Sequence, residues 1–341
     1  MPPPELLETP EEADSSVEAD KPWRGPTAFR TFRHRNYRLF FSGQLVSLIG
    51  TWMQMVAQSW LVLKLTDSPM WLGVVAFSNS VPIVLVGLFA GSVIDLLDRR
   101  RVIMAAQFVM MTSAFILAAL AWTGAVRVEH VIILTAINGF ASAFEMPGRQ
   151  AFVAEMVPRE DLPSAIAMNS TIFNGARMVG PSIAGLLIGI IGVAGCFVLN
   201  AISYTAAMAS LVAIDVPRRV TGRLGWAMFR HIREGLAYVW GNRTMRFLLL
   251  LVAINFGFAM QYQVLVPLFA RDILHAGARG YGFLVAAQGL GAVIGAFTMA
   301  SRSGDPRSLR QNMVFGIFCM AAAIATFGLS QSMALSLVAQ M

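Results

Sequence analysis

The sequence is short of charge. Only 13% of its 341 residues are Asp, Glu, Lys or Arg, against 56% hydrophobic, where a soluble protein carries roughly 25% charge. It is also short of the residues that make reactive centres. Its two cysteines, Cys196 and Cys319, both sit inside apolar runs and read as buried small apolar residues, which leaves no disulfide framework. The four histidines, His34, His130, His231 and His275, fall in or beside loops, with no pair at metal-ligand spacing. The expectation is therefore no catalytic centre, no metal and no cofactor, and a membrane enzyme or sensor is disfavoured. A cleavable signal peptide is not expected either, because residues 1–22 are acidic and rich in Pro and Ser rather than basic and then apolar. That composition reads as disordered, and the acidic tail is taken to run over residues 1–28.

What is present is apolar sequence in long blocks. A helix needs about 20 apolar residues to cross a bilayer, and such blocks occur at about 37–63, 70–94, 101–123, 129–150, 164–191, 194–214, 246–270, 280–301 and 312–330. The runs are continuous rather than alternating, which excludes a transmembrane barrel and predicts an all-α polytopic membrane protein. A tenth span opens near 332 and reaches Met341 in mid-run, so the chain reads as a truncated product of a longer protein.

The net charge of +7 invites a nucleic-acid reading, but the positions of the charges oppose it. Twenty-one of the 26 lysines and arginines fall on one side of every predicted crossing, including Arg99–Arg101 and seven arginines between 218 and 246. Four lie on the other side, and Arg177 lies inside a span. The positive-inside rule then puts the N-terminus in the cytoplasm. The connection at 215–245 reads either as a basic helix on the inner leaflet or as a solvated linker.

A weak internal repeat divides the chain. Gly87-x-x-x-Gly91 recurs as Gly291-x-x-x-Gly295, and "NYRLFF" (36–41) has a counterpart in "TMRFLL" (244–249). Chance likeness of glycine-rich helices competes with a true repeat. If it is real, residues 29–214 form a six-helix half and residues 246–341 an incomplete second half, an arrangement typical of transporters.

Polar groups inside the spans are the candidate functional residues, because each is costly in lipid without a partner. Gln44, Ser47, Thr51, Gln54 and Gln58 recur at spacings of 3 and 4 and share one face of the first helix. That face is either a cavity wall or interhelical glue. Glu145 in the fourth helix is a candidate proton carrier or the partner of Arg149, four residues on. Asn138 lies deeper in the same helix. Arg177 reads as a binding or relay residue near the midplane, or as a packing residue paired with Glu145 or Asn138. Gly180, Pro181 and Gly185 follow it and permit close approach and bending.

"GSVIDLLDRRR" (91–101) resembles the loop between helices 2 and 3 of the major facilitator superfamily. Gly91, Asp95, Arg99 and Arg100 match that signature, whereas Leu96 replaces an arginine and Asp98 a frequent glycine. The resemblance implies a conformational latch in which the acid meets a helix of the other half. A plain basic stop signal is the simpler reading, and Met299 stands where the second latch would have its acid. The longer strings "NYRLFFSGQLVSLIGTWMQMVAQSWLVLKLTDSP", "PGRQAFVAEMVPREDLPSAIAMNS" and "ARMVGPSIAG" resemble the transmembrane-secretion-effector branch of that superfamily, which includes enterobactin-exporter-like proteins. "GPSIAG" is similar to the helix-5 signature of its antiporters, with Ala184 replacing a glycine, and the helix-8 glycines 289, 291 and 295 are expected to face it.

The resemblance implies a two-half major facilitator fold, here ending in helix 10, in the bacterial inner membrane. It implies export of a small molecule such as a drug, siderophore or metabolite, driven by protons. An importer or facilitator of the same fold and an inactive fragment are the alternatives. Expected partners are a small-molecule substrate, protons and the lipid bilayer, with no nucleic acid and a monomeric state.

Overall fold

A computed structural model describes residues 27–216, 233–234, 237–254, 260–301 and 306–341. The tail to residue 26 and most of the basic linker, where a surface helix was one reading, lie outside the described residues. A 3-10 segment, Thr27–Arg33, leads into α1 (Arg35–Thr66), α2 (Pro69–Leu96), α3 (Arg99–Trp122), α4 (Val128–Met156) and α5 (Leu162–Ala213). Beyond the linker come α6 (Arg243–Ile254), a 3-10 segment Met260–Leu265, α7 (Val266–Asp272), α8 (Gly277–Ser301), α9 (Pro306–Leu329) and α10 (Met333–Gln340). No strand occurs among the described residues.

Among the described residues, five helices are long and apolar enough to cross a membrane, and they are α1 to α5. At 52 residues α5 is about 78 Å long, far more than the roughly 30 Å of a bilayer core. It is broken at Gly192, whose φ of 71° and ψ of 179° lie in a region essentially reserved for glycine. The two limbs run in opposite directions against α1. Leu48 packs with Ile172 and Ala176 of the first limb, and Gly180 abuts Ile49 and Trp52 farther along. On the second limb the order reverses, with Gly43 against Ser210 and Gly50 against Ser203 and Asn200.

The polarity of the molecule is inverted relative to a water-soluble bundle. Ile190, Trp122 and Leu329 are 77%, 76% and 85% exposed, whereas Gln44, Gln107 and Asn200 are each 1% exposed. Lipid solvates the apolar exterior, and buried amides find partners only inside the protein. Cys319 is exposed on α9, contrary to the buried position expected from the sequence, while Cys196 is buried. An apolar helix in lipid has an outward face as apolar as its inward one, so composition alone cannot assign the side.

The end of the bundle that carries the basic loops is tied together by charge. Asp161, fully buried, meets Arg30 at 2.7 Å, Arg33 at 3.3 Å and His34 at 2.7 Å. Asp98 caps α3 by accepting from the Arg101 N–H. Arg99 pairs with Glu155 of α4 at 2.8 Å. Arg100 donates to the carbonyls of Val212 and Ile214, which closes the C-terminus of α5.

The two halves meet chiefly where the first limb of α5 crosses α8. Gly185 lies against the backbone of Ala278 and Arg279, Gly282 against the Pro181 carbonyl, and Gly289 against the backbone of Arg177 and Met178. An ion pair, Asp67 to Arg271 at 2.6 Å, joins the halves at the end away from the basic loops. Toward the basic end the contact stops. A Cβ built at Gly87, Gly91, Gly175 or Gly295 meets nothing within 4 Å. Among the described residues, α6 and α9 form no extended contact with the first half, so the halves are packed together at one end and splayed at the other.

Candidate functional site

Between the halves, on the closed side of this splay, is a cavity of about 240 Å³. From α1 it takes Trp52, Met55, Gln58, Ser59 and Val62, and from α2 Leu72, Val75, Ala76, Asn79 and Ser80. Thr135 of α4 and Arg177 of α5 complete the N-terminal wall. Gln263 and Val264 of the second 3-10 segment, with Tyr281, Val285 and Gln288 of α8, form the C-terminal wall.

Among the described residues, Arg177 is the only charged one on this wall. Its guanidinium lies over the Trp52 ring, 5.6 Å from the centroid, a cation–π contact. Its Nε is shielded from solvent and makes no hydrogen bond. Gly289 packs directly behind it, on the Arg177 and Met178 backbone. Pro181 has no N–H to give the Arg177 carbonyl four residues earlier, yet α5 stays helical there, since Gly192 is the non-helical residue within it.

The remaining polar groups are neutral and largely committed. Gln58 donates to Thr135 at 2.9 Å. Gln288 donates to Gln340 at 2.5 Å and to the Tyr262 hydroxyl at 3.3 Å, and Tyr262 also bonds Gln340 at 3.3 Å. Tyr262, Gln288 and Gln340 thus form one polar knot in the second half.

Of the seven residues expected at the cavity, the structure places Gln58 and Arg177 on its wall. Gln54 instead accepts from Asn200 at 2.6 Å, and Thr51 meets the Tyr204 hydroxyl at 3.2 Å. Gln44 and Ser47 are buried on the same stripe, with Gly43 and Gly50 beside them against the second limb of α5. At 3.6 residues per turn, the cavity-lining positions of α1 centre roughly 70° around the helix from the polar stripe. Thr51 and Gln54 thus bind α5, and Gln58 is the member of the stripe that lies on the cavity wall. Asn138 is off the wall, its carbonyl oxygen buried without a partner. The neighbouring Gly139 packs on the Asn79 carbonyl.

Glu145 and Arg149 form an i,i+4 pair at 3.2 Å, with side chains only 13% and 7% exposed. They lie within electrostatic reach of Tyr204, in the interior of the first half, and Arg177 does not join them.

Within the loop signature, Arg99 pairs with Glu155, Arg100 donates to Val212, and Gly91 faces open space, while the Asp95 side chain lies outside the described residues, as does that of Met299. Of the glycines expected to face α5, Gly289 does so. Gly291 faces Met341, and Gly295 faces open space because the helices have already diverged. Gly282, which the sequence reading passed over, is the closest approach to Pro181 and Gly185. Gly180 packs on α1 rather than α8.

Comparison with known proteins adds an independent view. A family model described as transmembrane secretion effector matches residues 26–341. The staphyloferrin A transporter of Staphylococcus aureus is 28% identical over 54% of this chain and 46% of its own length. The multidrug efflux pump Tap of Mycolicibacterium fortuitum is 26% identical over 88% of this chain and 75% of its own. Macrolide efflux protein A of Streptococcus pyogenes is 25% identical over 70% and 61%. The chain thus spans about half the length of the first of these relatives. Among solved structures, a bacterial homologue of the human lysosomal transporter Spinster superposes with a TM-score of 0.62 at 14% identity, covering 93% of this chain and 72% of that one. At that identity the likeness concerns the fold, which is the major facilitator fold.

Proposed function

Because the chain belongs to the transmembrane secretion effector family, a family of multi-pass membrane transporters, we propose that it exports a small molecule across the bacterial inner membrane. The observation that carries this reading is the cavity between two halves that are packed backbone-to-backbone at one end and apart at the other. A solute enters from the basic end, occupies the wall around Arg177, and leaves when the halves rock about α5 and α8. The basic end is cytoplasmic on the positive-inside rule, so the arrangement described is the one that loads from the cytoplasm. The protein acts as a monomer. The pumps named above, which are called multidrug and macrolide efflux proteins, support the outward direction.

Export is driven by protons. The buried Glu145–Arg149 pair beside Tyr204 and Thr51 is the coupling element, because an acid inside a span is costly unless it has a task or a partner. Gly91, Asp95, Asp98, Arg99 and Arg100 latch the basic end when it closes, and Pro181 and Gly185 let α5 slide on α8. A second reading, a facilitator without proton coupling, is favoured by one observation: among the described residues, no carboxylate lines the cavity.

Expression of the protein in an efflux-deficient host, challenged with a panel of antibiotics, dyes and iron chelators, tests the proposal. Protection against at least one compound is expected, and Glu145→Gln abolishes it at unchanged protein level. Protection against none refutes export, and full protection by Glu145→Gln removes the pair from coupling and leaves the facilitator.

A further inference from the structure

The cavity has an electrical character that the export reading leaves open. Every lining group except Arg177 is neutral. Glu145, an acid inside the first half, is taken by Arg149 at 3.2 Å. No carboxylate lies within ion-pair distance of Arg177 among the described residues, and its Nε is buried without an acceptor. One face of the guanidinium is covered by Trp52, and Gly289 backs its main chain. The planar fork is thus held in place with its donors unspent. Such a fork matches a carboxylate in geometry, charge and donor number.

The rest of the lining is neutral and partly apolar. Leu72, Val75, Val264 and Val285 are apolar, Gln288 donates to Gln340 and Tyr262, and Gln58 donates one N–H to Thr135. An organic cation entering here meets a like charge in a poorly screened site. An anion with an apolar body meets the donor fork and has Leu72, Val75, Val264 and Val285 to pack on.

We infer that the cavity selects organic anions, carboxylates on an apolar or aromatic body, with Arg177 as the residue that binds the carboxylate. This rests on the reading of the cavity as the transport site. It also accounts for an arginine kept where it has no partner of its own: the substrate supplies the counter-charge.

Three probes of one shape separate the possibilities: 2-naphthoate, 2-naphthamide and 2-naphthylmethylammonium, titrated into the full chain in lipid nanodiscs. Naphthoate is expected to bind at least tenfold more tightly than the amide, with the ammonium weakest. Arg177→Gln levels the three, and Arg177→Lys keeps a reduced preference for the anion. Val75→Trp, which fills the cavity, removes binding of all three. Thermal unfolding of the unliganded variants guards against a merely structural role. Arg177→Gln is expected to leave the midpoint unchanged or raised, whereas Arg149→Gln, which strands Glu145, lowers it.

Equal binding of the three probes to the unaltered chain, with loss in Val75→Trp, overturns the anion inference and leaves the cavity reading standing. Undiminished naphthoate binding in Val75→Trp overturns the cavity reading and the inference with it. No binding of any probe, or a fall in midpoint for Arg177→Gln as large as for Arg149→Gln, also overturns the inference.

Discussion

Replacing Gly282 with alanine places a methyl carbon 2.4 Å from the Pro181 carbonyl oxygen, 2.8 Å from Gly185 Cα and 2.9 Å from Gly185 N. All three are backbone atoms of a helix, so no side chain can swing aside. Restoring contact near the 3.5–4.0 Å optimum requires α5 and α8 to part by about 1 Å, which forfeits a quarter to a half of the dispersion well along the seam. Overpacking of this kind costs about 1–3 kcal/mol, which moves a two-state equilibrium roughly 5- to 150-fold. The whole cost falls on the arrangement in which the end away from the basic loops is closed. Gly295→Ala is the matched control, because its new methyl meets nothing within 4 Å in the same arrangement. If the halves rock and bring the basic end together, that methyl penalises only the other state and shifts the balance the opposite way. Spin labels at Arg159 and Thr244, on opposite halves at the basic end, report the balance as a distance distribution. Gly282→Ala is expected to enlarge the short-distance population and Gly295→Ala the long one. Shifts of the same sign, or none in a folded Gly282→Ala protein, refute rocking about this seam.

Three further outcomes follow from the same contacts. Gln54→Leu strands the Asn200 amide, which is 1% exposed, and is expected to cost about 1–3 kcal/mol in thermal or denaturant unfolding of the purified protein. Asp161→Asn removes a fully buried carboxylate from Arg30, Arg33 and His34, and is expected to cost about 3–5 kcal/mol; a change below 1 kcal/mol contradicts the clamp. At the closed end, Arg271 beside Asp272 holds that carboxyl below its ordinary value of 3.8. A depressed carboxylate contributes above its unfolded pKa, and the contribution is lost as pH falls through the lower folded value. The Arg271–Asp272 contribution to stability is therefore expected to be constant from pH 7 to 5 and to be lost only as pH falls through the depressed Asp272 value, read as the thermal midpoint of the unaltered chain against Arg271→Gln.

Much of the fold was legible because lipid imposes simple rules. The charge split assigned a common side to the basic loops, and the run around Gly192 was divided in two because no single crossing is that long. The site was legible only where one residue announced itself. Arg177 stands out as a lone cation in an apolar span, and the structure puts it on the cavity wall. The α1 stripe misled because period 3.6 identifies a face but not the neighbour that face meets. Gln54 and Thr51 face Asn200 and Tyr204, which lie about 150 residues away. The Tyr262–Gln288–Gln340 knot was missed for the same reason. Each member is a single polar residue in its own segment, and only packing brings them together. The glycine seam was half legible: small residues mark close approach, but where α8 leaves α5 depends on the splay, which no local pattern encodes.

The claim that a solute leaves through the cavity between the halves is tested most directly in everted membrane vesicles with an imposed pH gradient, acidic inside. The measurement is the time course of labelled 2-naphthoate uptake by the unaltered chain and by Val75→Trp. Accumulation by the unaltered chain, falling to the level of empty vesicles when the cavity is filled, is the predicted result. Accumulation by Val75→Trp at the unaltered rate, or uptake only into right-side-out vesicles, contradicts it.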